Sequence, residues 1–158
     1  MLSQLEVRAG RHGVACALIQ ESLEAAGASR EAAAAELVFG ALAGTRERSA
    51  AIKALDALRA GAGLGAQSQV MRRRMIIWYS MLEAYDGAYE VMHGSLDDFA
   101  ATGTIGAAWA FLWLPELAGF RADSRFTTLV ARMRMPDYWA RYGPPDGYEW
   151  RDNRLVAR

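Results

Sequence analysis

The chain has 158 residues, 53% of them hydrophobic, and its 18 basic residues are balanced by 18 acidic ones. That length fits one domain with a real core, and the zero net charge leaves no global field to draw nucleic acid or an anionic membrane. A single cysteine, Cys16, excludes an internal disulfide and a cysteine-based zinc site. The longest apolar run, Ile105 to Leu114, is half the ~20 residues of a membrane-spanning helix. No N-terminal stretch is laid out as a signal peptide, so the expected location is the cytoplasm, with no membrane partner. Lys53 is the only lysine against 17 arginines, a usage that fits a GC-rich genome.

The dominant period is helical. In chain order, a first helix is expected from Leu2 to Ala26, interrupted near Gly10–Gly13 and stopped by Gly27. Ser29 is placed as the N-cap of a second helix reaching Ala43, with Glu31 in its first turn favouring the dipole. Thr45 is placed as the cap of a third helix ending at Ala60. The run Gly61-Ala-Gly-Leu-Gly65 is too glycine-rich to stay helical and is expected as a loop. A fourth helix is expected from Ser68 to Leu82, and a fifth from Tyr85 to Phe99. The fifth carries the clearest apolar stripe in the chain: Tyr85, Ala88, Tyr89, Met92, Leu96 and Phe99.

Thr104 is placed as the cap of a sixth helix with Ile105, Ala108, Trp109 and Leu112 on one face, ended or kinked by Pro115. Asp123 caps a seventh, with Phe126, Leu129, Val130 and Met133 at helical spacing, stopped by Pro136. Residues 137–142 form one more turn before Gly143. Tyr138, Trp139 and Tyr142 are expected to fold back over the last helix, Trp150 has no evident partner, and Arg151 to Arg158 read as polar and frayed. Strand patterning is nearly absent, so the fold class is all-α. Of the 16 aromatic residues only Phe39 precedes residue 78. The first half must therefore pack small side chains closely, and the second half large ones.

Aligning Ala51 with Ala88 gives two helix–turn–helix units, 30–60 and 68–99, at an offset of 37 residues. Ile52 then meets Tyr89, Leu55 meets Met92, Phe39 meets Ile76 and Leu42 meets Tyr79. The segment Trp78-Tyr-Ser-Met-Leu-Glu-Ala-Tyr-Asp-Gly-Ala-Tyr-Glu-Val-Met92 resembles the middle of a tetratricopeptide repeat. Tyr79 stands at the large aromatic position, Tyr85-Asp86 in the turn, and Ala88 where two helix axes cross closely. Phe120 to Trp139 resembles the end segment that follows such repeats in bacterial transcriptional regulators and adenylate-cyclase-like signalling proteins. Arg121, Asp123, Arg125 and Phe126 match that pattern, as does Met133 to Trp139; Ser124 stands where the pattern has proline. The resemblance covers about residues 70–146. It implies one helical domain over 1–158, a right-handed αα-hairpin solenoid of about six to eight helices, with a C-terminal cap over 104–146. The unit spacing exceeds the usual 34 residues, and the first unit lacks the repeat's Trp, Gly and Tyr, so an altered curvature is expected.

Chemistry-bearing constellations are sparse. His12 and His93 are the only histidines, too few for a zinc or iron site. His93 and Asp97, four apart, read as a solvated pair on a helix face. No nucleophile elbow is present, and Gly61 to Gly65 lacks the lysine and the strand of a phosphate loop. No enzymatic activity, metal or cofactor is expected. Arg72, Arg73 and Arg74 point about 100° apart on a helix and read as a solvated first turn rather than a basic patch.

If the helix over 68–82 lines a concave face, as the resemblance implies, the groove positions are Val70, Arg73, Ile77, Ser80 and Met81. Arg73 then faces a partner's carboxylate, and Glu36 and Gly40 are the counterparts in the first unit. Trp109 and Trp113 are further candidates, because three large aromatics in five residues cannot all face inward. The expected function is protein or peptide binding, as the effector or sensor part of a bacterial signalling or regulatory protein. Two alternatives stand: a homodimer formed through the alanine-rich first half, and a small-molecule pocket near Trp78, Trp109 and Trp113.

Overall fold

Apolar-striped segments separated by glycines fold as helices packed against their chain neighbours. The computed structural model describes residues 2–66, 69–102, 109–152 and 154–158, without the side chains of residues 62–66, 98–102 and 157. The chain divides into two units, Met1–Ala108 and Trp109–Arg158. Nine α-helices and a two-stranded sheet lie among the described residues. No helix among them is long and apolar enough to cross a membrane.

The first unit holds α1 (Leu2–Arg8), α2 (His12–Ala25), α3 (Ser29–Leu42), α4 (Arg48–Ala66), α5 (Gln69–Met81) and α6 (Tyr85–Thr102). The expected break near Gly10–Gly13 separates α1 from α2, and Gly10 takes a left-handed φ of 72°. Three of the helix ends close in one way. Ala28 donates its backbone N–H to the Leu23 carbonyl at 2.8 Å, Thr45 to Gly40 at 2.8 Å, and Ala84 to Tyr79 at 2.8 Å. In each, the preceding residue is left-handed: Gly27 at φ 70°, Gly44 at 73°, Glu83 at 50°. This αL closure satisfies the last helical carbonyls; glycine adopts it without strain, whereas Glu83 does so against its Cβ.

Several sequence expectations shift here. Ser29 is the first helical residue of α3 rather than its cap, since Ala28 occupies the cap position. Thr45 does not cap α4; its hydroxyl donates back to the Gly40 carbonyl at 3.1 Å, and the helix starts at Arg48. The run Gly61 to Gly65 is helical, because α4 continues to Ala66 instead of ending at Ala60. Glycine is merely costly inside a helix, by roughly 1 kcal/mol relative to alanine, and extension from a helix already packed against its neighbours outweighs that cost. Residues 103–108, with the expected Thr104 cap and Ile105 and Ala108, lie outside the described residues.

The core of this unit confirms the packing of small side chains. Ala15, Ala35, Ala51 and Ala88 are fully buried, with Val38, Leu55 and Met92. Ala51 and Ala88 are the small residues that the 37-residue offset aligns. A lock between α4, α5 and α6 sits beside them. Tyr79 is fully buried; its hydroxyl donates to Asp56 of α4 at 2.8 Å, and Arg59 donates to the same carboxylate oxygen at 3.3 Å. Its ring rests on Gly87 of α6, where a Cβ would lie 2.5 Å from Cε1. Burial first, and then the bond to Asp56, hold the phenol well above its ordinary pKa. Arg48 adds a second tie, donating to the Leu82 carbonyl and to Glu83 at 3.1 Å.

The second unit is built around aromatics. Two 3₁₀ turns, Trp109–Trp113 and Pro115–Leu117, lead into α7 (Ala118–Ala122), α8 (Arg125–Arg132) and α9 (Met135–Tyr142). The expected cap shifts by one residue, since Ser124 occupies the cap position of α8; the Asp123 carboxylate accepts the Arg125 backbone N–H at 2.9 Å, and Arg125 in turn holds that carboxyl below its ordinary pKa. Pro136 does not stop a helix but sits in the first turn of α9, where its missing N–H costs nothing. The break between α8 and α9 falls at left-handed Arg134, φ 58°.

The tail is not frayed. Strands β1 (Tyr148–Arg151) and β2 (Arg154–Ala157) pair antiparallel, with Trp150 opposite Leu155. Trp150 does have a partner, the Trp139 ring at 5.3 Å. Arg121 ties this unit together: Nε donates to the Tyr148 hydroxyl at 2.8 Å, Nη1 to the Leu114 carbonyl at 2.9 Å, and the guanidinium lies 5.8 Å from the Trp113 ring.

Gly87→Ala tests the lock by its sign. Alanine in an unconstrained helix interior stabilises by up to about 1 kcal/mol; against the Tyr79 ring it is expected to destabilise by about 1–3 kcal/mol. Urea unfolding at equilibrium measures the difference.

Candidate functional site

A cleft of about 390 Å³ opens in the first unit between α1 and α5, floored by α2 and α3. Helix α5 supplies most of it, because its residues fall into two rows four apart, the ridges of an α-helix surface. One row is Val70, Arg74 and Trp78; the other is Arg73, Ile77 and Met81, and all six line the cleft. Ile19 of α2 and Phe39 of α3 close the floor. The Phe39 ring meets Trp78 edge-on, 6.5 Å apart at 82°, a geometry worth about 0.5–1.5 kcal/mol beyond its burial. Ser3, Gln4 and Val7 of α1 form the opposite wall.

The rows grade from wet to dry. Val70 is 61% exposed and Arg73 is exposed, whereas Ile77 and Trp78 are buried at the apolar end. Arg74 is held at the mouth by a 3.3 Å bond from Nη2 to the Ser22 hydroxyl of α2. Among the described residues that line the cleft none carries a carboxylate, so its polar end presents two guanidinium groups. The α1 wall contributes no buried residue, and its Leu2 and Leu5 are exposed.

Four of the five groove positions expected on this helix, Val70, Arg73, Ile77 and Met81, line the cleft together. The fifth, Ser80, is buried and returns its hydroxyl to the Ile76 carbonyl at 2.7 Å; it lies one step around the helix from Met81, on the packed side. Glu36 does not line the cleft. It is exposed on α3 and pairs with Arg46 at 3.2 Å. Gly40 lies under Arg46, whose Cγ would meet an added Cβ at 2.5 Å. Trp109 and Trp113 belong to the second unit. Trp113 packs edge-on against Phe126 and Trp139, 6.1 Å from each, so its face is occupied. Trp139 is likewise buried, but Tyr138 and Tyr142 are exposed and stack on each other at 4.7 Å rather than covering the helix. Arg72 departs from the expected solvated first turn: it is only 2% exposed.

Sequence reasoning missed the α1 wall, Ile19, and the Phe39–Trp78 floor. The α1 contribution had no sequence signal beyond a short amphipathic turn. The floor had one: Phe39 is the lone aromatic of the first half. Among the described residues no group of three His, Cys, Asp or Glu is placed to hold an ion. His93 lies against the Tyr89 ring at 6.2 Å.

Cys16, half-buried on α2, has its thiol pushed above the ordinary range by burial and, second, by the Glu36 carboxylate. The thiolate is the reactive form, so at pH 8 alkylation of Cys16 by iodoacetamide is expected to run several-fold slower than that of an exposed thiol. The rate rises as pH climbs past the usual thiol range, and Glu36→Gln speeds it only slightly; mass-spectrometric labelling kinetics check both. No protein-family model matches the chain, and no curated protein or solved structure matches it significantly.

Proposed function

We propose that the chain is a non-enzymatic helical module that binds a segment of another protein, or a peptide, in the cleft along α5. The carrying observation is the cleft itself. Val70, Arg73, Ile77 and Met81, four of the five groove positions that the resemblance implies, line one continuous surface with the Phe39–Trp78 floor beneath it. A helix that presents a graded polar-to-apolar ridge on an otherwise packed hairpin suits helix-in-groove recognition. Large aromatic side chains at the base and arginines at the rim are the residue types that dominate interface energetics.

The hairpins α3–α4 and α5–α6 would then be successive units of a solenoid, with α5 on its concave side, as in tetratricopeptide-like proteins. The effector or sensor part of a bacterial signalling or regulatory protein is the context that fits this reading. Its support is the resemblance of residues 70–146.

A second reading has its own observation. Leu2, Leu5 and Val14 of the first two helices are all at least half exposed, which favours pairing with a second copy through the first half of the chain. A mass that rises with concentration in light scattering, and is lost in Leu5→Glu, distinguishes that reading.

Photo-crosslinking tests the main one. A benzophenone side chain at the exposed position 70, carried into cells, is expected to give a discrete protein adduct that Arg73→Glu weakens. The same group at exposed Ala57 of α4 serves as the control. Identical adducts from both positions, or none from position 70, would contradict binding in the cleft.

A further inference from the structure

The wall that α1 gives the cleft is turned inside out. Ser3, Gln4 and Val7 line the cleft, whereas Leu2 and Leu5 are 68% and 52% exposed. At about 100° per residue, the two leucines stand about half a turn around the helix from the three lining residues. A surface helix ordinarily sets its apolar stripe against the core and its polar residues in water. We infer that a second copy of this chain covers the stripe: the Leu2–Leu5 face of each α1 seats in the cleft of the other copy, giving two ridge-in-cleft contacts about a two-fold axis. This inference rests on the reading of the cleft as a docking groove, and it carries the pairing of copies further by naming the surfaces that meet.

The placement of the exposed apolar groups selects a second copy. Among the described residues of the first unit, the large apolar side chains left exposed are Leu2, Leu5, Val14 and Val70. All four lie on α1, α2 and α5, three of the helices that build the cleft; among the described residues none lies on α3, α4 or α6. One helix, α1, is therefore both a wall of its own cleft and an apolar ridge beside it. An acceptor and a ridge on one patch are what an isologous interface requires, since the two-fold brings each patch against its own copy. A partner that offered only a ridge would fill the cleft and leave Leu2 and Leu5 in water. A second copy covers both at once. It also gives α1 a burial that its own chain does not: the helix has seven residues and buries none, and helices shorter than about 12 residues are marginal by themselves.

Length and charge agree with this seat. Helix α1 runs about 10 Å, and the lining stretch of α5 from Val70 to Met81 runs about 16 Å, so the ridge fits within the cleft. On α1, Glu6 lies one turn after Leu2 and within about 40° of it around the axis. On α5, Arg74 lies one turn before Trp78. With the two helices antiparallel, Leu2 reaches the apolar end at Ile77 and Trp78 while Glu6 reaches Arg74. The bond that holds Arg74 goes to the neutral Ser22 hydroxyl. The Glu6 carboxylate accepts from Arg11 of its own chain and has lone pairs for a second guanidinium. The parallel arrangement would set the Glu6 carboxylate against the buried apolar end instead, which is costly.

Sedimentation equilibrium of the full chain is expected to show a reversible dimer. Leu5→Ser is expected to weaken it at least about tenfold, the loss that follows from one buried leucine. Glu6→Arg and Arg74→Glu each set like charges together and are expected to weaken it by at least about tenfold. Both changes in one chain are expected to restore most of the affinity, because the pair is coupled. Circular dichroism checks each fold, and Met81→Ser serves as a second cleft variant that keeps the bond from Arg74 to Ser22. In the purified chain, a benzophenone at position 70 is expected to yield a covalent dimer joined to segment 2–11 of the other copy. A dimer that Leu5→Ser dissolves, but that Arg74→Glu and Met81→Ser leave intact, would overturn the inference in favour of α1 pairing with α1. A chain that stays monomeric at every concentration would overturn it outright. Capture of a different protein from position 70 in cells would then leave the groove reading standing, and capture of none would remove that reading too.

Discussion

The geometry of the cleft depends on how the Tyr79 ring is held. It lies on bare Gly87 backbone, and its hydroxyl is anchored to Asp56 at 2.8 Å. Those two contacts join α5 to both α4 and α6 and set the rotation of α5 about its own axis. With residue 79 facing the packed side, residues 77 and 81 fall about 160° away around the helix and reach the cleft, because successive residues turn by about 100°. Had a Cβ been present at 87, the ring would have to move.

A hierarchy of packing follows from this. The α4–α5–α6 side is dense, with Ala51, Leu55, Tyr79, Ala88 and Met92 all fully buried. The α1 side is thin, since that helix buries no residue. Local stability tracks buried apolar contacts, and binding surfaces are drawn from the less stable part of a fold. The cleft sits at the boundary between the two, with a firm wall of α5 facing a light wall of α1.

Much of the helical framework was legible in the sequence, because apolar spacing and glycine punctuation report directly on helix faces and ends. Tyr85, Ala88, Tyr89, Met92 and Leu96 read correctly as the stripe of α6, and Val70, Arg73, Ile77 and Met81 as one face of α5. The errors have physical causes. Gly61 to Gly65 was expected as a loop because propensity weighs each residue alone, whereas a helix already nucleated and packed extends through glycine. The hairpin over 148–157 escaped because Tyr-Glu-Trp-Arg and Arg-Leu-Val-Ala are each only one short alternation. The residue type at Asp152, which turns left-handed at φ 50°, was the available turn signal. Glu36 was placed in the groove by analogy between the two units, but α3 offers Phe39 to the cleft instead and leaves Glu36 to Arg46. The α1 wall was not legible, since which helix faces α5 across a gap is decided by tertiary packing rather than by any local pattern.

The proposal that α5 and α1 form the walls of one docking groove is tested most directly by hydrogen exchange, read by mass spectrometry, with and without the protein captured from position 70 at saturation. Docking between these helices adds protection in backbone segments 2–8 and 69–81, and leaves exchange unchanged in α4, α6 and the residues from 109 onward. Protection concentrated in α4, α6 or the second unit, with α5 unchanged, would contradict it.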